Sequence, residues 1–137
     1  MSSEVTRLPL RILVVDDQPR VCHLLEAFLR QQNYAVYSAS NGLEALELVE
    51  TVRPHLIFMD IRMPRLDGLE TLDRIKSLWP EVEVVMMTAY GGEGAFTRAY
   101  QRGAFCCLTK PFDLSQIAAI VRAVEERCRE RADFLVS

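Results

Sequence analysis

The sequence predicts an α/β protein: a doubly wound, three-layer sandwich built on a five-stranded parallel sheet. Three observations carry that expectation. Short apolar runs alternate five times with longer stretches whose apolar residues recur every three or four positions, the signature of strands alternating with helices. Connections containing a helix require parallel strands, right-handed crossovers and helices on both faces of the sheet. Several of the apolar runs stop abruptly at a polar residue, so chemistry-bearing side chains collect along one edge of that sheet.

The first run, Leu10-Arg11-Ile12-Leu13-Val14-Val15, is a central strand that delivers Asp16 and Asp17 at its carboxyl end. Pro19 suits the first turn of a helix, and Val21, Leu24, Leu25, Phe28 and Leu29 give that helix a buried face to about Gln32. Asn33 to Ser38 reads as a shorter second strand. Ser40-Asn41-Gly42 then opens a helix carrying Leu43, Ala45, Leu46 and Val49, and Pro54 closes it.

Leu56-Ile57-Phe58-Met59 is wholly apolar and ends in Asp60, as a buried central strand does at a sheet edge. Asp67 is a candidate N-cap for a third helix with Leu69, Leu72 and Ile75 inward, ending before Pro80. Val82 to Met87 forms the fourth strand, with Thr88 at its end, and a weaker helix follows through Ala95, Phe96, Ala99 and Tyr100. Gly91, Gly92 and Gly94 at its start each cost about 1 kcal/mol relative to alanine in a helix, so this is expected to be the loosest part of the fold. Phe105 to Leu108 is the last strand, with Lys110-Pro111 just beyond it. Asp113-Leu114-Ser115-Gln116 starts a final helix whose stripe is Ile117, Ile120, Val121, Val124 and Cys128, with Glu125 to Arg131 a mixed-charge solvated surface.

At 137 residues the chain is long enough to remove roughly two-thirds of its unfolded surface from water. A first unit over residues 1–9 reads as an extension, 10–131 as the folded domain, and 132–137 as a tail or the start of a linker. No second domain is encoded, so a stand-alone unit or the amino-terminal piece of a longer protein is expected. A net charge of −3 without a Lys/Arg stripe leaves no electrostatic footprint for nucleic acid. The amino terminus lacks a secretory signal, and no apolar run approaches the roughly 20 residues a bilayer demands, so a cytoplasmic chain with no membrane partner is expected. Cys22, Cys106, Cys107 and Cys128 show no C-x-x-C pair and read as reduced core residues, with Cys106 and Cys107 on opposite faces of their strand. Met63, Met86 and Met87 read as core filling, and His23 and His55 as partly buried helix and loop residues.

Asp16, Asp17, Asp60, Thr88 and Lys110 thus reach the carboxyl ends of four strands, where doubly wound sheets bind ligands. Three carboxylates at one rim repel one another and imply a bound cation. Oxygen donors suit Mg2+, with Mn2+ also fitting, whereas zinc would want His or Cys. With that charge cancelled, Asp60 is the best nucleophile for phosphorus, giving an aspartyl phosphate. The metal, the Lys110 ammonium and the Thr88 hydroxyl could each take one phosphoryl oxygen.

These residues resemble the receiver domains of two-component response regulators from about Arg11 to Arg131. The motifs are Val14-Val15-Asp16-Asp17, Met59-Asp60-Ile61-Arg62-Met63-Pro64 with Asp67-Gly68, Met87-Thr88-Ala89-Tyr90, and Leu108-Thr109-Lys110-Pro111-Phe112. Ala99 to Phe105 is similar to the receivers of nitrogen-regulatory, enhancer-binding activators. The resemblance implies a flavodoxin-like strand order 2-1-3-4-5 and a signalling domain rather than an enzyme, one that assists its own phosphorylation and dephosphorylation. It implies phosphotransfer to Asp60 from a histidine kinase or phosphotransfer protein. Asp17 would bind Mg2+ directly, Asp16 through water, and Arg62 through its carbonyl. Thr88 and Lys110 would read the phosphoryl group, small Ala89 would let its backbone approach, and Arg62 and Tyr90 would gate water. Output would run through the fourth helix, fifth strand and fifth helix, which also offer a homodimer surface.

One departure is that Cys107 stands where the family commonly has a switch Tyr or Phe, so Thr88 and Cys107 form the expected switch pair. Phe105, two residues earlier on the same face of the strand, is a partial substitute. Two other classes fit less well. A haloacid-dehalogenase-type phosphatase needs a second Asp two residues after its strand-one nucleophile, where Pro19 follows Asp17. A flavodoxin needs a Ser/Thr-rich phosphate loop where this chain has acids.

Overall fold

Alternation of strand and helix resolves into β1 Arg11–Val15, α1 Pro19–Gln31, β2 Ala35–Ala39, α2 Gly42–Val52 and β3 Leu56–Asp60, then α3 Gly68–Leu78, β4 Glu83–Thr88, α4 Ala95–Gln101, β5 Cys106–Thr109 and α5 Leu114–Val136. These elements come from a computed structural model that describes residues 9–89 and 94–136. The sheet has the order β2-β1-β3-β4-β5 with every neighbouring pair parallel. The chain steps outward from β1 to β2 and then returns past it to β3, so the winding reverses between β1 and β3.

Alternation along each strand sorts the core into two halves. Ile12, Val14, Phe58, Val85 and Met87 face α1 and α5, meeting Leu25, Leu29, Ile117, Val121 and Val124. Leu13, Val15, Ile57, Met59, Val84 and Met86 face Ala45 and Val49 of α2, Leu72 and Ile75 of α3, and Ala99 of α4. Each large side chain buried this completely contributes about 1.5–3 kcal/mol relative to exposure. Met86 and Met87 fill opposite halves, and Cys106 and Cys107 likewise lie against opposite halves as free thiols.

The helix starts follow local chemistry. Pro19 occupies the first turn of α1. Asn41 and Asp67 cap α2 and α3 by accepting the N–H groups of Glu44 and Glu70, each at 2.9 Å. At α5 the Gln116 side chain accepts the Asp113 N–H at 2.8 Å. Among the described residues no helix is long and apolar enough to cross a membrane.

Several expectations need correction. Leu24 and Leu43 are 49% and 46% exposed, because α1 and α2 offer the sheet only narrow stripes through Cys22, Leu25 and Leu29, and through Gly42, Ala45 and Val49. His23, on the outer side of α1, is exposed, whereas His55 is half-buried. Asn33 takes a left-handed φ of 70° that turns the chain out of α1, so β2 begins only at Ala35. Helix α5 continues past Arg131 to Val136, and its Arg127 and Arg131 reach the buried Glu83 instead of forming a purely solvated face. Phe105 precedes β5, so strand alternation does not apply to it. It packs with the α1/α5 half, while Cys107 packs with the other, so Phe105 cannot stand in for a side chain at position 107. Tyr90, Gly91 and Gly92 lie outside the described residues; Gly94, the N-cap of α4, has a left-handed φ of 84°.

Candidate functional site

Backbone hydrogen bonds across the carboxyl edge of the sheet hold the ends of its strands in register. Asp16 N–H donates to the Ala39 carbonyl at 3.1 Å, Ile61 N–H to Met87 at 2.9 Å, and Lys110 N–H to Thr88 at 2.8 Å. Asp16 follows the last residue of β1 and is 1% exposed; Asp60 ends β3 and is 7% exposed; Thr88 ends β4 and is 2% exposed. Asp17 faces solvent beside them. Lys110 follows β5, and its peptide bond to Pro111 is cis.

The loop after Asp60 turns back so tightly that Gly68 N–H bonds the Ile61 carbonyl at 2.8 Å. A Cβ on Gly68 would overlap the Asp60 carbonyl and Ile61 Cα, both backbone atoms that cannot yield. The glycine of the Asp67-Gly68 pair is therefore required by close approach, and it brings the start of α3 against the end of β3.

One carboxylate oxygen from each of Asp16, Asp17 and Asp60 lies within 4.8 Å of the other two. Lys110 Nζ reaches into this group, donating to Asp16 Oδ2 at 2.6 Å, Asp60 Oδ2 at 3.3 Å and Gln18 Oε1 at 3.1 Å. The remaining oxygens of the two buried acids accept backbone groups, Asp16 Oδ1 from Gln18 N–H at 2.9 Å and Asp60 Oδ1 from Arg62 N–H at 3.2 Å. Three acids against one ammonium leave the rim negative.

Burial raises the pKa of Asp60; the Lys110 charge opposes that rise, the neighbouring Asp16 adds to it, and the Arg62 N–H bond opposes it. One lysine shared between two acids does not offset desolvation plus repulsion. For Lys110 the balance is reversed. Burial works against the ammonium, but the hydrogen bond and charge of Asp16, with those of Asp60, outweigh it and raise its pKa. The Cys22 thiol beneath Asp16 is pushed up to about 11 by burial and then by the charges of Asp16 and Glu26, so it stays protonated and unreactive at neutral pH.

Asp16, Asp17, Asp60 and Lys110 therefore meet as the sequence predicts, with Thr88 at the adjacent strand end. The Arg62 side chain is exposed, while its backbone N–H serves Asp60. Cys107 is half-buried on β5, its thiol raised to about 11 by burial and then by Cys106. Tyr90 lies outside the described residues. The residue missed by sequence reasoning is Gln18. It stands at the N-cap of α1, yet its side chain makes no cap hydrogen bond and goes to Lys110 instead. A glutamine, a poor capping residue, wedged between an acid pair and a helix-starting proline is the signal that could have drawn attention to it.

A fold wound about β1 and β3, with acids from both and a lysine after β5, is a doubly wound α/β domain carrying an acidic, lysine-bridged pocket at the carboxyl edge of its sheet. Residues 12–122 match the family model for the response regulator receiver domain, and the chain belongs to that family. It is 37% identical over 112 residues to sporulation initiation phosphotransferase F of Bacillus subtilis (strain 168), covering 82% of this chain and 90% of that protein. It is also 37% identical over 120 residues to the DNA-binding transcriptional regulator NtrC of Escherichia coli (strain K12), covering 88% of this chain but only 26% of that protein. Among solved structures, the receiver domain of NtrX from Brucella abortus superposes with a TM-score of 0.79 at 33% identity, covering 84% of this chain and 98% of that one. The protein is a receiver domain of two-component response regulators, and its acidic pocket fits phosphorylation with Mg2+.

Proposed function

We propose that Asp60 accepts a phosphoryl group from a histidine kinase or phosphotransfer protein and that the domain relays the change to a partner, an attached output domain or a second copy. The observation that carries this reading is Lys110 Nζ placed between Asp16 and Asp60, in a cluster that remains acidic after the lysine is counted. An Asp60 carboxylate oxygen attacks phosphorus, the phosphorus–nitrogen bond of a phosphohistidine breaks, and the imidazole nitrogen leaves with the electron pair. Lys110, already beside Asp60, takes one phosphoryl oxygen, and the hydroxyl of Thr88, at the adjacent strand end, takes another.

The donor set fits a hard divalent cation: oxygen ligands converge and no imidazole or thiolate is among them. Asp17 and Asp60 would hold Mg2+, or Mn2+, directly, with Asp16 through water and the Arg62 carbonyl completing the protein ligands. When bound, the ion neutralises the clustered acids and polarises the phosphoryl group.

Arg62 and Tyr90 are proposed to slow hydrolysis by shielding the acyl phosphate. Thr88 and Cys107 form the switch, and the small thiol at position 107 couples phosphorylation only weakly to the α4-β5-α5 surface, where a homodimer or output partner would bind. Incubation with acetyl phosphate and Mg2+ should add one phosphoryl group, read by intact-mass analysis, and Asp60→Asn should abolish it. Full labelling of that variant would overturn the assignment of Asp60.

A further inference from the structure

We propose that Gln18 is a positioning residue for phosphotransfer, holding the Lys110 ammonium in line while its bond to Asp60 is exchanged for one to the incoming phosphoryl group. This rests on the reading of Asp60 as phosphoacceptor. An ammonium on a four-carbon stem has three protons and rotates freely, so its direction is set only when its acceptors are fixed. Lys110 Nζ has three, Asp16 Oδ2 at 2.6 Å, Gln18 Oε1 at 3.1 Å and Asp60 Oδ2 at 3.3 Å. The longest of them belongs to the nucleophile, the group whose charge distribution changes in the reaction.

Gln18 is anchored independently of the lysine. Its N–H donates to Asp16 Oδ1 at 2.9 Å, and its carbonyl accepts Val21 N–H at 3.1 Å and Cys22 N–H at 3.4 Å in the first turn of α1. Asp16 and the backbone of Gln18 are thus tied to each other and to a helix, which sets the reach of the Gln18 side chain toward the ammonium. Lys110 can pivot on its bonds to Asp16 and Gln18 and trade its third contact from Asp60 to a phosphoryl oxygen with little movement.

The chemistry of the side chain suits this task. A glutamine offers an acceptor of the right length without adding a fourth carboxylate to a crowded acidic rim. Of the three bonds to the ammonium, the one to Gln18 is the solvent-exposed one, while those to Asp16 and Asp60 are partly buried. The role assigned to Gln18 is in the chemical step and not in capture of the phosphodonor.

The test compares wild type with Gln18→Met, which keeps the length but offers only a weak thioether acceptor, and Gln18→Glu, which restores an oxygen. Phosphorylation at Asp60 is followed at saturating Mg2+ over a range of acetyl phosphate concentrations. Gln18→Met should lower the maximal rate roughly tenfold while the half-saturating donor concentration stays within about twofold. In the metal-free proteins, the 15N-labelled Lys110 ammonium should give a sharp NMR signal in wild type and Gln18→Glu, broadened by proton exchange in Gln18→Met. A wild-type maximal rate in Gln18→Met, or an effect confined to half-saturation, overturns the proposal. If wild type itself takes up no phosphoryl group, the phosphoacceptor reading fails, and the NMR comparison still decides whether Gln18 orders the lysine: an unchanged signal in Gln18→Met rejects it.

Discussion

The two ends of the central sheet both bury carboxylates beside cations, yet they are balanced in opposite directions. At the amino end Glu83, 6% exposed, receives Arg127 at 3.3 Å and Arg131 at 3.2 Å, two guanidiniums for one acid. Arg131 also donates to the Glu81 carbonyl at 3.1 Å, and Arg127 stacks over Phe105. His55 closes the same edge, accepting Arg11 N–H on Nδ1 at 3.0 Å, while the Arg11 guanidinium bonds the carbonyls of Val52 and Arg53 where α2 ends. At the carboxyl end three acids share one ammonium. The amino end has its buried acid answered by two cations. The carboxyl end keeps an excess of buried negative charge, which costs stability in the free protein and favours a cation.

The largest difference should come from removing one acid at each end. Glu83→Gln strips two arginines of their shared partner. Because both guanidiniums are about half in water, the loss should be about 1–2 kcal/mol in urea unfolding, below the figure for a fully buried pair. Asp60→Asn should move stability the other way in metal-free protein at neutral pH, by a few tenths to about 1 kcal/mol, since the ionised Asp60 is disfavoured by burial and by Asp16. A loss of stability in both variants would erase the contrast.

Mg2+ sharpens it further. Binding only to the folded state should raise the unfolding midpoint of wild type in proportion to ligand excess, with no such rise in Asp17→Asn and an undiminished rise in Glu83→Gln. Thermal unfolding with and without the ion reads this directly.

The pH profile separates the ends with a smaller effect. Asp60 has a raised pKa, so the folded state holds its proton longer, and stability falls as pH climbs from the ordinary carboxylate range through the raised value. Asp60→Asn should lack that fall. His55 has a lowered pKa, from burial first and the Arg11 charge second, so its contribution is lost as pH drops below about 6.5, where the unfolded imidazole takes up a proton. His55→Gln should flatten that part of the curve in urea midpoints measured from pH 4 to 8. The smallest expected effect is Arg131→Ala, about 0.5 kcal/mol because Arg127 still answers Glu83, with faster amide exchange confined to the last turns of α5.

Sequence alone determined the five strands, the five helices, the two-faced sheet and the arrival of Asp16, Asp17, Asp60, Thr88 and Lys110 at one edge. Those are local properties: periodicity names an element, and the residue at which an apolar run stops names what its end presents. Only tertiary structure decided which distant groups meet. Gln18 and Lys110 are 92 positions apart, and no pattern around either announces the other. Glu83 lies 48 positions from Arg131 in a stretch whose charges read locally as a solvated face. Leu24 fits the apolar pattern of α1 but is left in water, because the width of the buried stripe is set by the neighbouring sheet and not by the helix. Phe105 and Cys107 part company because alternation holds only inside a strand, and where β5 begins is fixed by its pairing with β4. Local chemistry thus put the acids and Gln18 at the rim, while long-range strand placement decided that one lysine would reach Asp16, Gln18 and Asp60 together.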